Sequence, residues 1–92
     1  MAEAYSSVLI TGASGGIGAA LAQAIAAFDP DRMVLVGRRA EPMHTLAAQL
    51  DCPTEICLAD LATASGRSAV LAQINGIDLL VNCAGFGSFG PF

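Results

Sequence analysis

The glycine-rich stretch TGASGGIG, residues 11–18, constrains the fold of this chain more than any other feature. An apolar run, Val8-Leu9-Ile10, precedes it, and apolar residues at helical spacing follow it, namely Ile17, Leu21, Ala24, Ile25 and Phe28. The stretch therefore joins a buried strand to a helix. In such a loop Gly12 adopts backbone angles that a Cβ forbids, Gly16 lets a ligand approach the main chain, and Gly18 lets helix and strand pack closely.

A loop of this kind predicts an anion site. The N–H groups of the first helical turn have no partner inside the helix, so they face outward and suit a pyrophosphate. Taken alone, the loop is also compatible with a tight turn that binds nothing. Its T-G-x-x-x-G-x-G spacing differs from the G-x-G-x-x-G pattern of the common dinucleotide fingerprint, and a P-loop is excluded because the chain has no lysine.

The rest of the chain alternates between strand and helix patterns. Strands are predicted at residues 7–11, 33–36, 54–59 and 79–83. Helices are predicted from the glycine loop to about Phe28 and from Pro42 to about Leu50. A third helix is predicted from a cap at Thr63 or Ser65 to a stop at Gly76, with an inner face formed by Val70, Leu71 and Ile74. This βαβαβαβ pattern predicts an α/β fold with a parallel sheet. If the third crossover returns past the first strand, the order is 3-2-1-4, and the loops at Gly12 and Gly85 meet at the switch point.

Composition narrows the class of protein. The 92 residues form one domain, and 54% hydrophobic against 13% charged residues predicts extensive burial. We expect a cytoplasmic protein, since no apolar run approaches the about 20 residues of a membrane span and the first residues do not resemble a secretory signal. A net charge of −4 argues against nucleic acid or an anionic membrane as partner. No metal site is predicted: His44 is a lone histidine, and Cys52, Cys57 and Cys83 have no paired spacing and are expected as reduced thiols.

Four elements, in consistent order, resemble the short-chain dehydrogenase/reductase family. Residues 11–18 resemble its cofactor loop, Arg38 and Arg39 fall where its members select the adenosine ribose, and Asp60-Leu61 is similar to its adenine-contacting pair. Asn82-Cys83-Ala84-Gly85 resembles its N-N-A-G motif, with Cys83 in place of the second asparagine. The resemblance implies a Rossmann-like doubly wound parallel sheet, incomplete at its C-terminal side, and residues 1–92 as a single, partial dinucleotide-binding domain.

The resemblance implies a set of cofactor-binding residues: Gly12, Ser14, Gly15, Gly16, Ile17, Gly18, Arg38, Arg39, Asp60, Leu61, Asn82, Ala84 and Gly85. Four of them have alternatives. Arg38 and Arg39 either bind the cofactor or form a solvated basic turn before a helix. Asp60 either accepts a hydrogen bond from the adenine amino group or caps the next helix, and Asn82 either contacts the ligand or bridges strand and loop. NADP(H) is the expected cofactor, because Gly37 stands where an NAD-binding protein has an acidic residue and a following arginine suits a 2′-phosphate.

Catalytic residues are not assigned in this chain. The family uses a serine, a tyrosine and a lysine four residues after the tyrosine, whereas this chain lacks lysine and its one tyrosine, Tyr5, precedes the cofactor loop. Two functions remain open: the NADP(H)-binding region of an oxidoreductase whose catalytic half is absent from this chain, or a non-catalytic nucleotide-binding or protein-interaction module. We also expect self-association, because strand four is an edge and one helix alone covers one face of the sheet.

Overall fold

The computed structural model describes residues 6–13 and 15–83, which form a four-stranded sheet and three helices. In chain order the elements are β1 (Ser7–Thr11), α1 (Gly16–Ala26), β2 (Arg32–Gly37), α2 (Ala40–Gln49), β3 (Thr54–Leu58), α3 (Ala64–Gln73) and β4 (Leu79–Asn82). The strand order is β3-β2-β1-β4 and all three pairings are parallel. The predicted α/β class and the 3-2-1-4 order are therefore confirmed.

The two central strands are buried on both faces of the sheet. Successive side chains of a strand point to opposite faces, and the core accordingly divides into two clusters. On one face, Val8 and Ile10 pack with residues of α1 and α2. On the other, Leu9 and Val34 pack with Val70 of α3. This two-sided cover is the physical reason why β1 and β2 have continuous apolar runs instead of an alternating pattern.

Helix α1 packs through its small residues. Gly18 and Ala22 are its buried positions, whereas Ile17 is 75% exposed and Phe28, beyond the helix, is 71% exposed. The helix ends at Ala26 instead of about Phe28, since Asp29 takes a left-handed φ of 59° that a helix cannot continue through. The apolar spacing thus predicted a helix correctly without identifying the face that packs.

Helices α2 and α3 depart in detail from the prediction. Helix α2 begins at Ala40, which makes Pro42 its third residue, where a missing N–H still costs no helical hydrogen bond. Helix α3 is capped by Thr63, whose Oγ1 accepts a hydrogen bond from the Gly66 N–H at 2.9 Å. Leu71 was predicted on the inner face, but it is 66% exposed. A helix turns by 100° per residue, so Leu71 rotates away once Val70 faces the sheet.

Strands β3 and β4 end one residue earlier than predicted, at Leu58 and Asn82. The parallel hydrogen bonding nevertheless runs one step further. The Ala59 N–H donates to the Gly37 carbonyl at 2.9 Å, and the Cys83 N–H donates to the Thr11 carbonyl at 3.2 Å. The residues that leave these strands are therefore still held by the neighbouring strand.

The amino end of the sheet carries its own polar contacts. The Asp78 carboxylate accepts hydrogen bonds from the Ser6 N–H at 2.8 Å and the Ser7 N–H at 3.2 Å, which ties the start of β1 to the residue before β4. Arg32 pairs with Glu55 at 3.0 Å, and the hydrogen bond from its guanidinium lowers the pKa of the Glu55 carboxyl. These charged groups lie at the end of the sheet opposite to the glycine loop.

Two kinds of feature are absent from the described residues. None of the helices described here is long and apolar enough to cross a membrane. Within residues 6–13 and 15–83, no group of three or more histidine, cysteine or acidic side chains has the arrangement of a metal site.

Candidate functional site

Three loops meet at the carboxyl edge of the sheet, where β1, β2 and β3 end. Backbone hydrogen bonds join them directly. The Ala13 N–H donates to the Val36 carbonyl at 3.0 Å, which ties the glycine loop to the end of β2. The bond from Ala59 to Gly37 ties the end of β2 to the residues after β3. Gly37, which precedes Arg38, therefore lies next to the glycine loop, and Ala59, which precedes Asp60, lies one strand further along the same edge.

Three positions of the glycine loop favour glycine, each for a different geometric reason. Gly12 has a φ of 71°, in the left-handed region that disfavours side chains. A Cβ on Gly18 would lie 2.3 Å from the Gly12 carbonyl oxygen, so only glycine allows α1 to approach the loop this closely. A Cβ on Gly16 would meet none of the described residues within 4 Å, which means that among them the space in front of its backbone is open.

The N-terminus of α1 begins at this open space. Its first intrahelical bond is donated by the Ala19 N–H to the Gly15 carbonyl, at 2.9 Å, so the N–H groups of the first turn precede the hydrogen-bonded ladder. Gly15 provides no capping side chain, and the first turn contains no acidic residue. The positive end of the helix dipole is therefore left for an external anion.

Arg38 and Arg39 lie between the end of β2 and the start of α2. Both residues are exposed, and Arg39 is the N-cap of α2, in extended conformation without a capping side-chain bond. In the described part of the chain neither guanidinium has an ion-pair partner. Two exposed cations beside a helix N-terminus form a positive surface next to the glycine loop.

The structure excludes one of the two alternatives for Asp60, namely that its side chain caps helix α3. The Asp60 Oδ1 accepts a hydrogen bond from the Ala62 N–H at 2.9 Å, while the cap of α3 is Thr63. The Asp60 side chain therefore stabilises its own turn and does not cap the helix. Over residues 6–13 and 15–83, neither the Asp60 Oδ2 nor the Leu61 N–H has a protein partner.

Asn82 bridges the two strands at the switch point. Its Oδ1 accepts a hydrogen bond from the Thr11 hydroxyl at 2.8 Å, and Thr11 is 4% exposed. This bond joins two strands, β1 and β4, whereas the bridge expected for Asn82 joins a strand to a loop. Three of the predicted site residues, Ser14, Ala84 and Gly85, lie outside the described residues.

Two residues near Asp60 were not identified from the sequence. A Cβ on Gly66 would lie 1.9 Å from the Asp60 carbonyl oxygen, so α3 packs its first turn directly against the Asp60 backbone. The Arg67 Nη1 donates to the Leu61 carbonyl at 3.0 Å. A glycine in the first turn of a helix is the one sequence signal that indicates such a close approach; Arg67 has none, because a solvated arginine has the same pattern.

Comparison with known proteins agrees with this geometry. The family model for short chain dehydrogenases matches residues 6–92. The chain is 40% identical over 89 residues to "Nodulation protein G" of Rhizobium sp. (strain N33), a match that covers 91% of this chain and 36% of that protein. The chain therefore spans about a third of the length of the curated relatives it matches.

Solved structures share the fold. The bulky-bulky ketone specific alcohol dehydrogenase from Comamonas testosteroni superposes with a TM-score of 0.83 at 31% identity, covering 98% of this chain and 40% of that one. A short-chain dehydrogenase from Sphingobium yanoikuyae, in complex with NADPH, gives a TM-score of 0.81 at 35% identity, covering 94% of this chain and 36% of that one. With the family model matching almost all of its length, this chain belongs to the short chain dehydrogenase family.

Proposed function

We propose that this chain is the NADP(H)-binding region of an oxidoreductase of the short-chain dehydrogenase/reductase type. The observation that carries the proposal is the convergence of the glycine loop, the Arg38-Arg39 pair and the Asp60 turn at one edge of the sheet. The family and its NADPH-bound relative from Sphingobium yanoikuyae support a nicotinamide cofactor. The glycine loop fits such a cofactor, because the open space at Gly16 admits a ligand that a side chain would displace.

The pyrophosphate of the cofactor would bind at the N-terminus of α1. The contacts would come from the backbone at the start of this helix, formed by Gly15, Gly16, Ile17 and Gly18. The helix dipole and the free N–H groups both favour an anion there. Gly12 and Ser14 would complete the loop. Nothing in the described first turn opposes this, since it contains no carboxylate.

The adenosine half would extend from the glycine loop across the ends of β2 and β3. Arg38 and Arg39 would pair with the 2′-phosphate, which a guanidinium binds through two parallel charge-assisted hydrogen bonds. The Asp60 Oδ2 and the Leu61 N–H are an adjacent acceptor and donor. They match the amino group and the N1 atom at the edge of an adenine.

The nicotinamide half would reach the switch point beyond Thr11, near the end of β4. There Asn82, Ala84 and Gly85 are the proposed contacts. When bound, the cofactor supplies the hydride for transfer between the nicotinamide and a carbonyl or alcohol carbon. Residues of this chain would bind and orient the dinucleotide, and we assign no proton transfer to any of them.

The arginine assignment has a direct test. We expect the wild-type chain to bind NADP⁺ more tightly than NAD⁺, and Arg38→Gln to reduce that preference about tenfold, the effect of one charge-assisted contact to phosphate. Arg38→Asp should go further and favour NAD⁺, because a carboxylate repels the 2′-phosphate and accepts from a 2′-hydroxyl. Isothermal titration calorimetry with both dinucleotides measures these affinities.

The matched control is Arg32→Gln, which removes the same charge at the opposite end of the sheet. It should leave the ratio of the two affinities unchanged. Equal binding of NAD⁺ and NADP⁺ by the wild-type chain would refute the arginine assignment, whereas binding of neither would refute the cofactor proposal itself.

We also propose that the chain self-associates through the edge of β4. Such a surface favours the second candidate function, a protein-interaction module. Among the described strands β4 pairs only with β1. Two leucines are exposed, Leu80 of β4 at 51% and Leu71 of α3 at 66%. An open strand edge beside apolar side chains promotes association. Sedimentation velocity at about 10–100 μM, a range in which weak association is detected, should give a mass that rises with concentration.

The Leu80→Lys variant should shift this equilibrium toward the monomer, because a charge on an edge strand opposes pairing. Ala48→Lys, on the exposed side of α2, is the control and should have no effect. A compact wild-type monomer throughout this range would contradict the proposal.

A further inference from the structure

An arginine that is not among the proposed cofactor-binding residues holds the turn after β3. Arg67, the fourth residue of α3, reaches back six positions, and its Nη1 donates to the Leu61 carbonyl at 3.0 Å. A hydrogen bond from a charged donor is shorter and stronger than one between neutral groups. This bond joins the first turn of α3 to the adenine side of the candidate site.

The turn itself is densely hydrogen-bonded. The Asp60 carbonyl accepts from the Thr63 N–H at 3.0 Å and from the Thr63 hydroxyl at 2.8 Å. Gly66 packs against the Asp60 backbone, so α3 and the turn are in direct contact. The Leu61 side chain is half-buried and packs on the core cluster that contains Ala59 and Val70. The backbone of the turn is thereby fixed on both sides of the Leu61–Ala62 peptide.

That peptide links Arg67 to the Asp60 carboxylate. The Leu61 carbonyl and the Ala62 N–H belong to one planar peptide group, so a bond that fixes the carbonyl also fixes the direction of the N–H. The carbonyl accepts from Arg67, and the N–H donates to the Asp60 Oδ1 at 2.9 Å. With Oδ1 committed in this way, the orientation of Oδ2 is set by the same peptide.

We propose that Arg67 is a positioning residue for recognition of the adenine base. It holds the Leu61–Ala62 peptide, the Ala62 N–H holds the Asp60 Oδ1, and the Asp60 Oδ2 is thereby aimed at the exocyclic amino group of the base. The inference rests on the proposed function. It assigns to Arg67 no contact with the cofactor, so its loss acts through Asp60.

The test compares NADP⁺ with its hypoxanthine analogue, in which a carbonyl oxygen replaces the adenine amino group and N1 carries a proton, so that both donor and acceptor at this edge of the base are exchanged. Calorimetry on the 92-residue chain gives the ratio of the two dissociation constants. We expect wild type to favour NADP⁺, and Arg67→Met to lower the preference by about three- to tenfold, the range of one hydrogen bond. Arg67→Lys, which retains a charged donor, should restore part of it.

This ratio separates positioning from a merely structural or electrostatic role, since loss of stability or of charge weakens both ligands alike. Arg32→Met is the control and should preserve the ratio. A second arm needs no ligand: hydrogen exchange of the Ala62 amide should be faster in Arg67→Met than in wild type and unchanged in Arg32→Met.

The outcomes are distinguishable. An unchanged ratio in Arg67→Met, or an unchanged Ala62 exchange rate, overturns the inference and leaves NADP(H) binding intact. Equal wild-type affinity for both nucleotides does the same, because the base is then not read by Asp60. Binding of neither nucleotide by wild type overturns the proposed function and the inference together.

Discussion

The Gly16→Ala variant should keep its fold and bind NADP⁺ about 10- to 100-fold more weakly than wild type, the loss of one charge-assisted hydrogen bond or slightly more. The reason is geometric. A Cβ at this position meets no atom of residues 6–13 and 15–83 within 4 Å, so among these residues the methyl group enters only the space in front of the first helical turn. A pyrophosphate that approaches the backbone N–H groups needs that same space.

The free energy of unfolding of Gly16→Ala should rise, although its affinity for NADP⁺ falls. The φ of Gly16 is not among the positive values, which in the described part of the chain belong to Gly12 and Gly76 among the glycines. Alanine therefore fits the backbone. Because alanine restricts the conformations of the unfolded chain, the free energy of unfolding should increase by about 0.4–1 kcal/mol. Urea titration and calorimetry on the same protein measure the two effects.

Ala24→Ser, two turns further along α1 on an exposed position, is the control and should bind as wild type does. Undiminished NADP⁺ binding by Gly16→Ala would show that the anion site is not at this loop. Weaker binding accompanied by a loss of stability would instead show that the methyl group disturbs the protein itself.

Gly18→Ala should damage both the fold and the site. Its Cβ would lie 2.3 Å from the Gly12 carbonyl oxygen, 2.9 Å from the Gly12 carbonyl carbon and 3.0 Å from the Ala13 Cα. All three are backbone atoms, so no side chain can rotate away, and α1 must separate from the loop. Overpacking of this kind costs about 1–3 kcal/mol, which corresponds to a fall in Tm of about 4–20 °C for a domain of this size.

Gly15→Ala is the matched control, because its Cβ would lie 3.6 Å from the same Gly12 oxygen, an ordinary contact. Its backbone is extended, with φ −91° and ψ 166°, so alanine is tolerated. Alanine restricts the unfolded chain but is a poorer N-cap than glycine, and because these two effects oppose each other the free energy of unfolding should change by less than about 0.5 kcal/mol. Thermal unfolding followed by circular dichroism compares the pair. Equal Tm values for Gly15→Ala and Gly18→Ala would contradict the packing argument.

The glycine loop could be predicted from local chemistry, and the strand order from the rules that connect parallel strands. Position 12 requires glycine because its φ is positive, and position 18 requires glycine because the Gly12 backbone lies too close for a side chain. The continuous apolar runs around Leu9 and Val34 indicated strands covered on both faces. Parallel strands joined by helices then restrict the order to few possibilities.

The packed faces of the helices could not be predicted as well. Helix α1 has apolar residues on more than one side, and periodicity does not say which side meets the sheet. The distance between helix and strand decides this, and that distance is set by Gly18 and Ala22 instead of by the larger Ile17. Likewise the bond from Arg67 to Leu61 depends on how α3 returns over the turn, which no sequence spacing encodes.

The hydrogen bond between Thr11 and Asn82 has a consequence for the order of folding. It joins residues 71 positions apart, at the end of a strand pair whose other end is closed by Asp78 over a separation of 72 positions. Contacts this distant along the chain form late, because the entropy of closing the intervening loop is lost before they contribute. β1 pairs with β2 across a much shorter loop. During synthesis the β1–β2 half of the glycine loop can therefore assemble early, whereas its switch-point side stays open until β4 has left the ribosome.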